Sequence, residues 1–448
     1  MILLSFLKRL SGSALVRATL GVAGLGLGVK LVALLKDMAV ASRLGVSREM
    51  DTFSLAFGFA SLLVSLFAGN LNAAFIPSYA RLGASCNHST ARALYQILRR
   101  RLGLALGLLS LGLAATSVLW VPWLTPRWSV ADQTHLRHLL FLLLAWVPLA
   151  GAALLSAAAL QGEERFTAPA LLPALSSLAI LGTLALSTTR SAFPLGWGVL
   201  IGASAEMLAL AWVLRRYAPP REAVGSTALR EALPTVGRQY LPTLAAGLLI
   251  NTTPLVDYAI AGWLPPGAIA TLAYASKVPA VALTLSAGAL GTTLLPALSR
   301  MAGEEQWAAI RRLVLQASLL AFGAGTLGAL LLGACSPRIV HLLFQRGAFG
   351  AEQVPEVSGV QVLYLLQLPF ALGSTVMVRL ISALQGNHLL LWGTIISAML
   401  NVGLDLLFLP RLGARGISLS TTCVAAVACA FLSFWALRLL RSRERRAL

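Results

Sequence analysis

The 448-residue sequence has few charged side chains and few of the residues from which catalytic or metal sites are built. Only 11% of its residues are charged, against about 25% in a typical soluble domain. Hydrophobic residues make up 58% of the chain, and the mean hydropathy is +0.80. This composition excludes an ordinary soluble globular protein and is typical of a chain that crosses a membrane many times.

Histidine and cysteine are scarce as well. The five histidines fall in predicted loops or near helix ends, and no HExxH, Walker A or Ser/His/Asp arrangement occurs. His135 and His138 lie close together near Asp132, a spacing that can hold a metal, but a solvated loop is the ordinary interpretation. No CxxC pair occurs, and we interpret all four cysteines as small core residues: Cys86, Cys335, Cys423 and Cys429. The sequence therefore predicts no enzyme, cofactor or metal site.

Hydrophobic runs of about 20 residues are long enough to cross a bilayer as helices. Twelve such runs are present, at 18–40, 52–76, 102–124, 137–160, 168–188, 193–214, 239–262, 268–296, 313–335, 357–383, 388–409 and 415–437. We interpret the first as a transmembrane helix and not a signal peptide, because no small-residue cleavage site follows it. The sequence predicts an all-α, polytopic membrane protein.

Lysine and arginine are distributed unevenly among the segments between these spans. If the N-terminus is cytoplasmic, 22 of them lie in inner segments and nine in outer ones. Because cytoplasmic segments are enriched in these residues, both termini are predicted to be cytoplasmic. The formal net charge of +19 then reflects orientation and attraction to anionic lipid headgroups, with no nucleic-acid partner.

An internal repeat divides the chain. AGNLNAAFIPSYAR at 68–81 recurs as AGALGTTLLPALSR at 287–300, and ALQG occurs at 159–162 and again at 383–386. These matches indicate two six-helix units, which we place at residues 1–222 and 223–448. Six is even, so both units enter the membrane from the same side, as parallel repeats about an axis along the membrane normal. We expect the matching prolines, Pro77 and Pro296, to end their helices at the cytoplasmic face.

Charged side chains inside the spans are the candidate functional residues. A charge at mid-bilayer costs roughly 2.5–3.5 kcal/mol on insertion scales and persists only against protein, water or a partner charge. Transporters with two repeats bind substrate between the halves, near the midplane. Lysine is a point-charge partner for phosphate, so a cationic cavity suits an anionic substrate. The predicted substrate-binding residues are Lys30, Lys36, Asp37, Asp51, Asp257, Lys277 and Arg379.

Some of these residues have a structural alternative. Lys36 can instead extend to the membrane interface. Lys277 can form an ion pair with Asp257 on the adjacent helix. Arg379, near the cytoplasmic end of its span, is an inner anchor or a phosphate contact. Two further acids at corresponding places in the repeats are predicted to form hydrogen bonds between helices: Glu206 and Asp405.

Several stretches together resemble the MurJ/MviN family of lipid II flippases, within the multidrug/oligosaccharidyl-lipid/polysaccharide exporter superfamily. They are KDMAVASRLG, DTFSLAF, NAAFIPSYARL, ALGTTLLPALSR and, at Leu342–Gly350, LLFQRGAFG. The resemblance runs from about residue 15 to residue 435. It implies two six-helix lobes in a MATE-like V around a cationic cavity. It also implies transfer of an undecaprenyl-type, pyrophosphate-linked glycan from the inner to the outer leaflet of the bacterial cytoplasmic membrane.

The resemblance assigns roles to individual positions. Two basic positions six apart on the first helix, arginine in the family, are Lys30 and Lys36 here. The aspartate that opens the second helix is Asp51, and the cavity base of the eighth is Lys277. Lysine at these positions loses bidentate contact with pyrophosphate. Two further departures are Val64 and Ser65 in place of an arginine pair and Ala280 in place of a glutamate.

Three functions remain open from the sequence. The first is a flippase for lipid II or an exopolysaccharide repeat unit, a monomer among membrane lipids driven by H⁺, Na⁺ or the membrane potential. The second is an ion-coupled small-molecule or multidrug exporter of the same superfamily, dependent on Asp37, Asp51 or Asp257. The third is a membrane glycosyltransferase or polymerase, which requires an essential outer-loop residue such as Asp132 or His135.

Overall fold

The computed structural model describes residues 14–85, 87–217 and 225–447. The predicted repeat boundary at 222/223 lies outside the described residues. The α-helices are α1 (Ala14–Leu44), α2 (Arg48–Leu63), α3 (Asn70–Ser85), α4 (His88–Leu124), α5 (Val130–Gly162), α6 (Thr167–Leu171), α7 (Ala174–Leu186), α8 (Phe193–Arg216), α9 (Ser226–Ala261), α10 (Ala268–Ala275), α11 (Lys277–Gly303), α12 (Trp307–Ala334), α13 (Ser336–Phe344), α14 (Val354–Leu365), α15 (Leu368–Ala383), α16 (Asn387–Leu412) and α17 (Ala414–Ala447).

Ten helical segments in the described part of the chain are long and apolar enough to cross a membrane, and each corresponds to a predicted span. The two remaining predicted spans, 18–40 and 239–262, coincide with parts of α1 and α9. The all-α, polytopic fold is confirmed. Several helices extend well beyond the predicted spans, as α4 does at its N-terminal end, because hydropathy marks only the apolar part of a helix that continues into water.

The second predicted span is interrupted by a π-helical turn, Val64–Gly69, between α2 and α3. Such turns leave backbone carbonyls without their usual partner. Here the Asn70 side-chain amide donates to the Leu66 carbonyl at 2.9 Å, and the Tyr240 hydroxyl donates to the Phe67 carbonyl at 3.0 Å. Two side chains therefore stabilise an irregular turn that hydropathy alone does not reveal.

The structure corrects the prediction for the two repeat prolines. Pro77 lies inside α3 and Pro296 lies inside α11, so neither ends its helix. A proline removes one backbone donor, but in membrane helices neighbouring groups can satisfy the carbonyl that is freed. The helix therefore continues past both positions.

The cysteine prediction holds only in part. Cys429 is buried and Cys423 is partly buried, whereas Cys335, which follows α12, is exposed. Cys86 lies outside the described residues. Small size does not confine cysteine to a core when it falls at a helix end.

The chain forms two compact units. Unit 1 comprises Met1–Leu44, Ala56–Trp123 and Val130–Leu248, and unit 2 comprises Gly45–Leu55, Leu124–Ser129 and Leu249–Leu448. Two short segments of the N-terminal half, Gly45–Leu55 and Leu124–Ser129, therefore pack within unit 2, because their contacts are mainly with residues of that unit. The division falls inside α9.

Unit 1 is built around α5, which packs against α3 and α8. α7 and α8 approach closely because glycines face the other helix: a Cβ on Gly198 would lie 2.6 Å from the Ile180 Cα, and one on Gly202 would meet the Ser176 Cα. Small residues at a helix interface are the usual means of close packing in membranes. Ser176 also donates a hydrogen bond to Glu206 at 3.2 Å, which confirms the predicted contact between helices.

Unit 2 is built around α15, which packs against α11, α12 and α17. Its buried face presents Leu368, Leu372, Val376 and Leu380 to these neighbours. On α12, a Cβ at Gly325 would lie 2.5 Å from the Pro369 Cα, so glycine lets α12 reach the first turn of α15. This central helix places the candidate sites of unit 2 on the helices around it.

Candidate functional site

In unit 1 the predicted basic residues lie on α1. Lys30 is exposed, and Lys36 is partly buried. The Lys36 Nζ lies 2.9 Å from an Asp37 carboxylate oxygen. This ion pair between sequence neighbours reduces the local positive charge and holds Lys36 beside its own helix. Lys30 remains the more accessible base of the pair.

In unit 2, Lys277 begins α11, immediately after the break between α10 and α11 at Ser276. Its side chain is partly buried, and the residues of α10 that precede it are buried. Pro279 lacks the N–H that would bond the carbonyl four residues earlier, which favours a change of direction here. Because Lys30 and Lys277 belong to different units, their predicted shared cavity stays a prediction.

Asp51 lies on the first turn of α2 and is 1% exposed. One carboxylate oxygen accepts the Gly267 N–H at 2.6 Å, and the other accepts the Ala270 N–H at 2.8 Å. These donors belong to the N-terminal end of α10, where the helix dipole favours a negative charge. The Arg48 guanidinium, one turn earlier on α2, lies 3.6 Å away. In this structure Asp51 therefore binds protein groups of both α2 and α10.

Further contacts fasten the two short N-terminal-half segments within unit 2. The Trp128 indole N–H donates to the Gly262 carbonyl at 3.0 Å, and the Arg48 guanidinium lies 4.2 Å from the centre of the Trp128 ring. The Val46 N–H donates to the Gln353 side-chain oxygen at 3.0 Å. These bonds join chain segments that are far apart in sequence, so only the tertiary structure reveals them.

Asp257 of α9 lies beside Asp405 and Asn401 of α16. All three are buried, with at most 6% exposed. The Asp257 Oδ1 and both Asp405 carboxylate oxygens receive no hydrogen bond within the described part of the chain. Ser420 of α17 completes this group, which we call the acidic cluster. Two adjacent buried carboxylates require a shared proton or a bound cation to offset their charge.

The acidic cluster gives Asp257 a partner that the sequence did not indicate. The charged neighbour of Asp257 is Asp405, and the alternative pairing of Asp257 with Lys277 stays a prediction. Asp405 does lie beside a residue of another helix, Asp257 of α9. Asn401 and Asp405 are four residues apart on one face of α16, a spacing that could have revealed the cluster.

Two further features come from the sequence: the predicted substrate contact Arg379 and the candidate metal site at His135. The Arg379 Nε on α15 is buried and has no hydrogen-bond partner among residues 14–85, 87–217 and 225–447. Its role as a substrate contact stays a prediction. The His135 ring packs against the Phe193 ring with centroids 5.0 Å apart and planes inclined by 34°. No group of three or more metal-ligating side chains occurs among the described residues.

A family model described as "Lipid II flippase MurJ" matches residues 40–447. The chain belongs to the lipid II flippase MurJ family. Curated relatives include a probable lipid II flippase MurJ of Synechocystis sp., 26% identical over 417 residues, which cover 88% of this chain and 76% of the relative. A second, from Rhizobium meliloti, is 27% identical over 419 residues and covers 90% of this chain and 77% of the relative.

Solved structures show the same fold. A lipid II flippase MurJ in an inward closed conformation has a TM-score of 0.76 and 19% identity, and the match covers 95% of this chain and 90% of that one. An inward-facing multidrug resistance MATE transporter of the MOP superfamily has a TM-score of 0.73 and 15% identity, with coverage of 94% and 96%. The resemblance to the MOP superfamily is confirmed. The MurJ family match favours a flippase over a small-molecule exporter, and the family is one of transporters and not of enzymes.

The MurJ-like motifs acquire structural roles in unit 2. Gly45, which follows the KDMAVASRL stretch, has φ +57°, and a Cβ there would meet the Ala348 carbonyl of the LLFQRGAFG motif. In the same motif Phe344 and Phe349 are buried and pack around Tyr274, with ring centroids 5.2 and 5.6 Å away. Gly45 and the LLFQRGAFG stretch therefore meet in one place within unit 2.

Proposed function

We propose that this chain is a flippase that transfers lipid II, a polyprenyl-pyrophosphate-linked saccharide, across the bacterial cytoplasmic membrane by alternating access. The match of the MurJ family model to residues 40–447 carries this proposal. The relatives in Synechocystis and Rhizobium are named for lipid II, which ranks it above an exopolysaccharide repeat unit. The distribution of arginine and lysine supports cytoplasmic termini.

Substrate recognition is proposed to depend on the lysines. Lys30 and Lys277 would each contact the pyrophosphate as a point charge. Lys36, already paired with Asp37 at 2.9 Å, would contribute less and would orient the substrate when that pair opens. Arg379, whose Nε has no hydrogen-bond partner within the described chain, would serve as an inner phosphate contact.

The acidic cluster is proposed to hold the coupling cation. Asp257 and Asp405 offer carboxylate oxygens that receive no hydrogen bond from the described residues, and the Asn401 side-chain amide lies beside them. A hard cation such as Na⁺ prefers such oxygen ligands, and a proton shared between the carboxylates would serve the same electrostatic purpose. Cation entry and release at this buried group would bias the conformational equilibrium, because a ligand shifts a population by its differential affinity.

Reconstituted transport tests the function directly. Proteoliposomes would receive lipid II, a lipid-linked exopolysaccharide repeat unit or a fluorescent organic cation, and outer-leaflet appearance or efflux would be followed. We expect transfer of lipid II, loss of it in Lys277→Gln and Lys30→Gln, and normal transfer in Arg190→Gln, which changes an exposed loop. Transport of the organic cation alone would refute the flippase proposal and support the exporter. Full activity in both lysine variants would refute their role in binding.

A further inference from the structure

Unit 2 contains a groove between α12 and α17. α15 forms its floor, since α15 packs against both α12 and α17, and these two helices form its walls. The cavity in the groove measures about 360 Å³, within the range of roughly 300–1,000 Å³ typical of ligand sites. Along α12 it extends from Arg311 to Phe322, about 16 Å at 1.5 Å per residue.

One end of the groove is basic. Arg311 on α12 and Arg441 on α17 both line it, together with Glu444. Arg441 also lines an adjoining cavity of about 520 Å³ with Arg438 and Arg445. Four arginines therefore converge on this end against a single acid. Arginine is suited to phosphate because its planar guanidinium makes two parallel hydrogen bonds.

The rest of the groove is apolar apart from two serines. Val314, Phe322, Met377 and Leu440 line its inner part. Ser318, about two turns of helix from Arg311, has a buried hydroxyl without a hydrogen-bond partner in the described part of the chain. A buried hydroxyl of this kind costs free energy unless a ligand satisfies it.

The outer rims of both walls carry exposed apolar side chains. Leu315 and Leu319 on α12 are 60% and 66% exposed, and Phe434 on α17 is 60% exposed. Exposed leucine and phenylalanine on a membrane helix are compatible with contact to acyl chains. The arginines lie at the ends of α12 and α17 that the charge distribution predicts to be cytoplasmic. Basic pockets between helices on that side bind anionic lipid headgroups in other membrane proteins.

We propose that this groove binds an anionic phospholipid of the inner leaflet. The phosphate lies between Arg311 and Arg441, the Ser318 hydroxyl donates to the glycerol ester region, and an acyl chain lies along Leu315 and Phe322. The proposal does not depend on the transported substrate, because every residue that carries it belongs to α12, α15 or α17 of unit 2.

Native mass spectrometry of the full purified chain tests this proposal. The protein would be titrated with phosphatidylglycerol and, separately, with phosphatidylcholine of the same acyl composition. The test variant is Arg311→Gln with Arg441→Gln. The matched control is Arg312→Gln with Arg443→Gln, which removes two charges from the same helices at exposed positions outside the cavity lining. We expect about tenfold or greater loss of phosphatidylglycerol affinity in the test variant, and less than about twofold loss in the control.

Three results would overturn the proposal. They are equal losses in the test and control variants, equal affinity of the wild type for both phospholipids, and displacement of phosphatidylglycerol from the groove by a polyprenyl diphosphate. Ser318→Leu provides a second variant should the double variant fold poorly, because it fills the groove without changing charge. It should lower phosphatidylglycerol affinity, whereas Leu330→Ala, at an exposed position of α12 outside the cavity lining, should not.

Discussion

Asp51→Asn is the most specific prediction about the contacts near the site. Asparagine keeps the shape of the side chain but replaces one carboxylate oxygen by an NH₂ group. In the wild type both oxygens accept backbone N–H groups, from Gly267 at 2.6 Å and Ala270 at 2.8 Å. The NH₂ group would face one of these donors, so one hydrogen bond is lost and a buried N–H is left without an acceptor.

The size of the effect follows from these contacts. A hydrogen bond to a charged group contributes about 1.5–3 kcal/mol, and an unpaired buried donor adds a desolvation cost. The lost attraction to the N-terminus of α10 adds about 0.3–1 kcal/mol. We expect Asp51→Asn to lower local stability by about 2–4 kcal/mol. At 1.4 kcal/mol per factor of ten, the Gly267 and Ala270 amides would open about 30 to 700 times more often.

Hydrogen–deuterium exchange of the peptide around residues 264–272 measures this opening in the detergent-solubilised chain. Glu231→Gln, at an exposed acid on α9, is the matched control for loss of one negative charge. Exchange should accelerate at Gly267 and Ala270 in Asp51→Asn and stay at the wild-type rate in the control. Wild-type exchange in Asp51→Asn would refute the conclusion that Asp51 fastens α10.

Three further predictions concern other parts of the chain. Asp405→Asn should abolish any increase in the melting temperature caused by Na⁺ and any pH dependence of transport, and unchanged responses would remove the acidic cluster from coupling. Gly198→Ala should lower the thermal stability of unit 1, because the added Cβ would lie 2.6 Å from a backbone atom. In the control Gly182→Ala, the added Cβ has no atom within 4 Å, so thermal unfolding should show a neutral or stabilising effect. Phe349→Ala, at a 1% exposed aromatic, should cost about 3–5 kcal/mol of stability, and a loss below about 1 kcal/mol in denaturant titration would contradict the packing around Tyr274.

Much of the fold can be predicted from local sequence patterns, without knowing which residues contact one another. The length of an apolar run, set by bilayer thickness, located the helices that cross the membrane. Hydropathy could not locate the breaks inside them. The π-helical turn at Val64–Gly69 depends on side chains of Asn70 and Tyr240, and the second of these is far away in the sequence.

The same distinction applies to the candidate functional residues: the sequence identifies the charged residues, and the structure identifies their partners. Mid-span charge identified Asp51 and Asp257, because an ionised group in a bilayer requires a partner wherever it lies. It could not identify the partners. Asp51 contacts the start of α10, and Asp257 contacts Asp405, after the chain has folded through several intervening helices. For Lys36, the partner was its immediate neighbour, Asp37.

By itself, the sequence determined that the chain is an all-α membrane protein with charged residues inside its apolar spans. Those properties depend on local quantities: the hydropathy of about 20 residues and the cost of a charge in hydrocarbon. Only the tertiary structure decided which helices exchange hydrogen bonds, which two carboxylates lie together, and that arginines from α12 and α17 converge on one groove. Those properties depend on distances between residues remote in the chain, which no local pattern encodes.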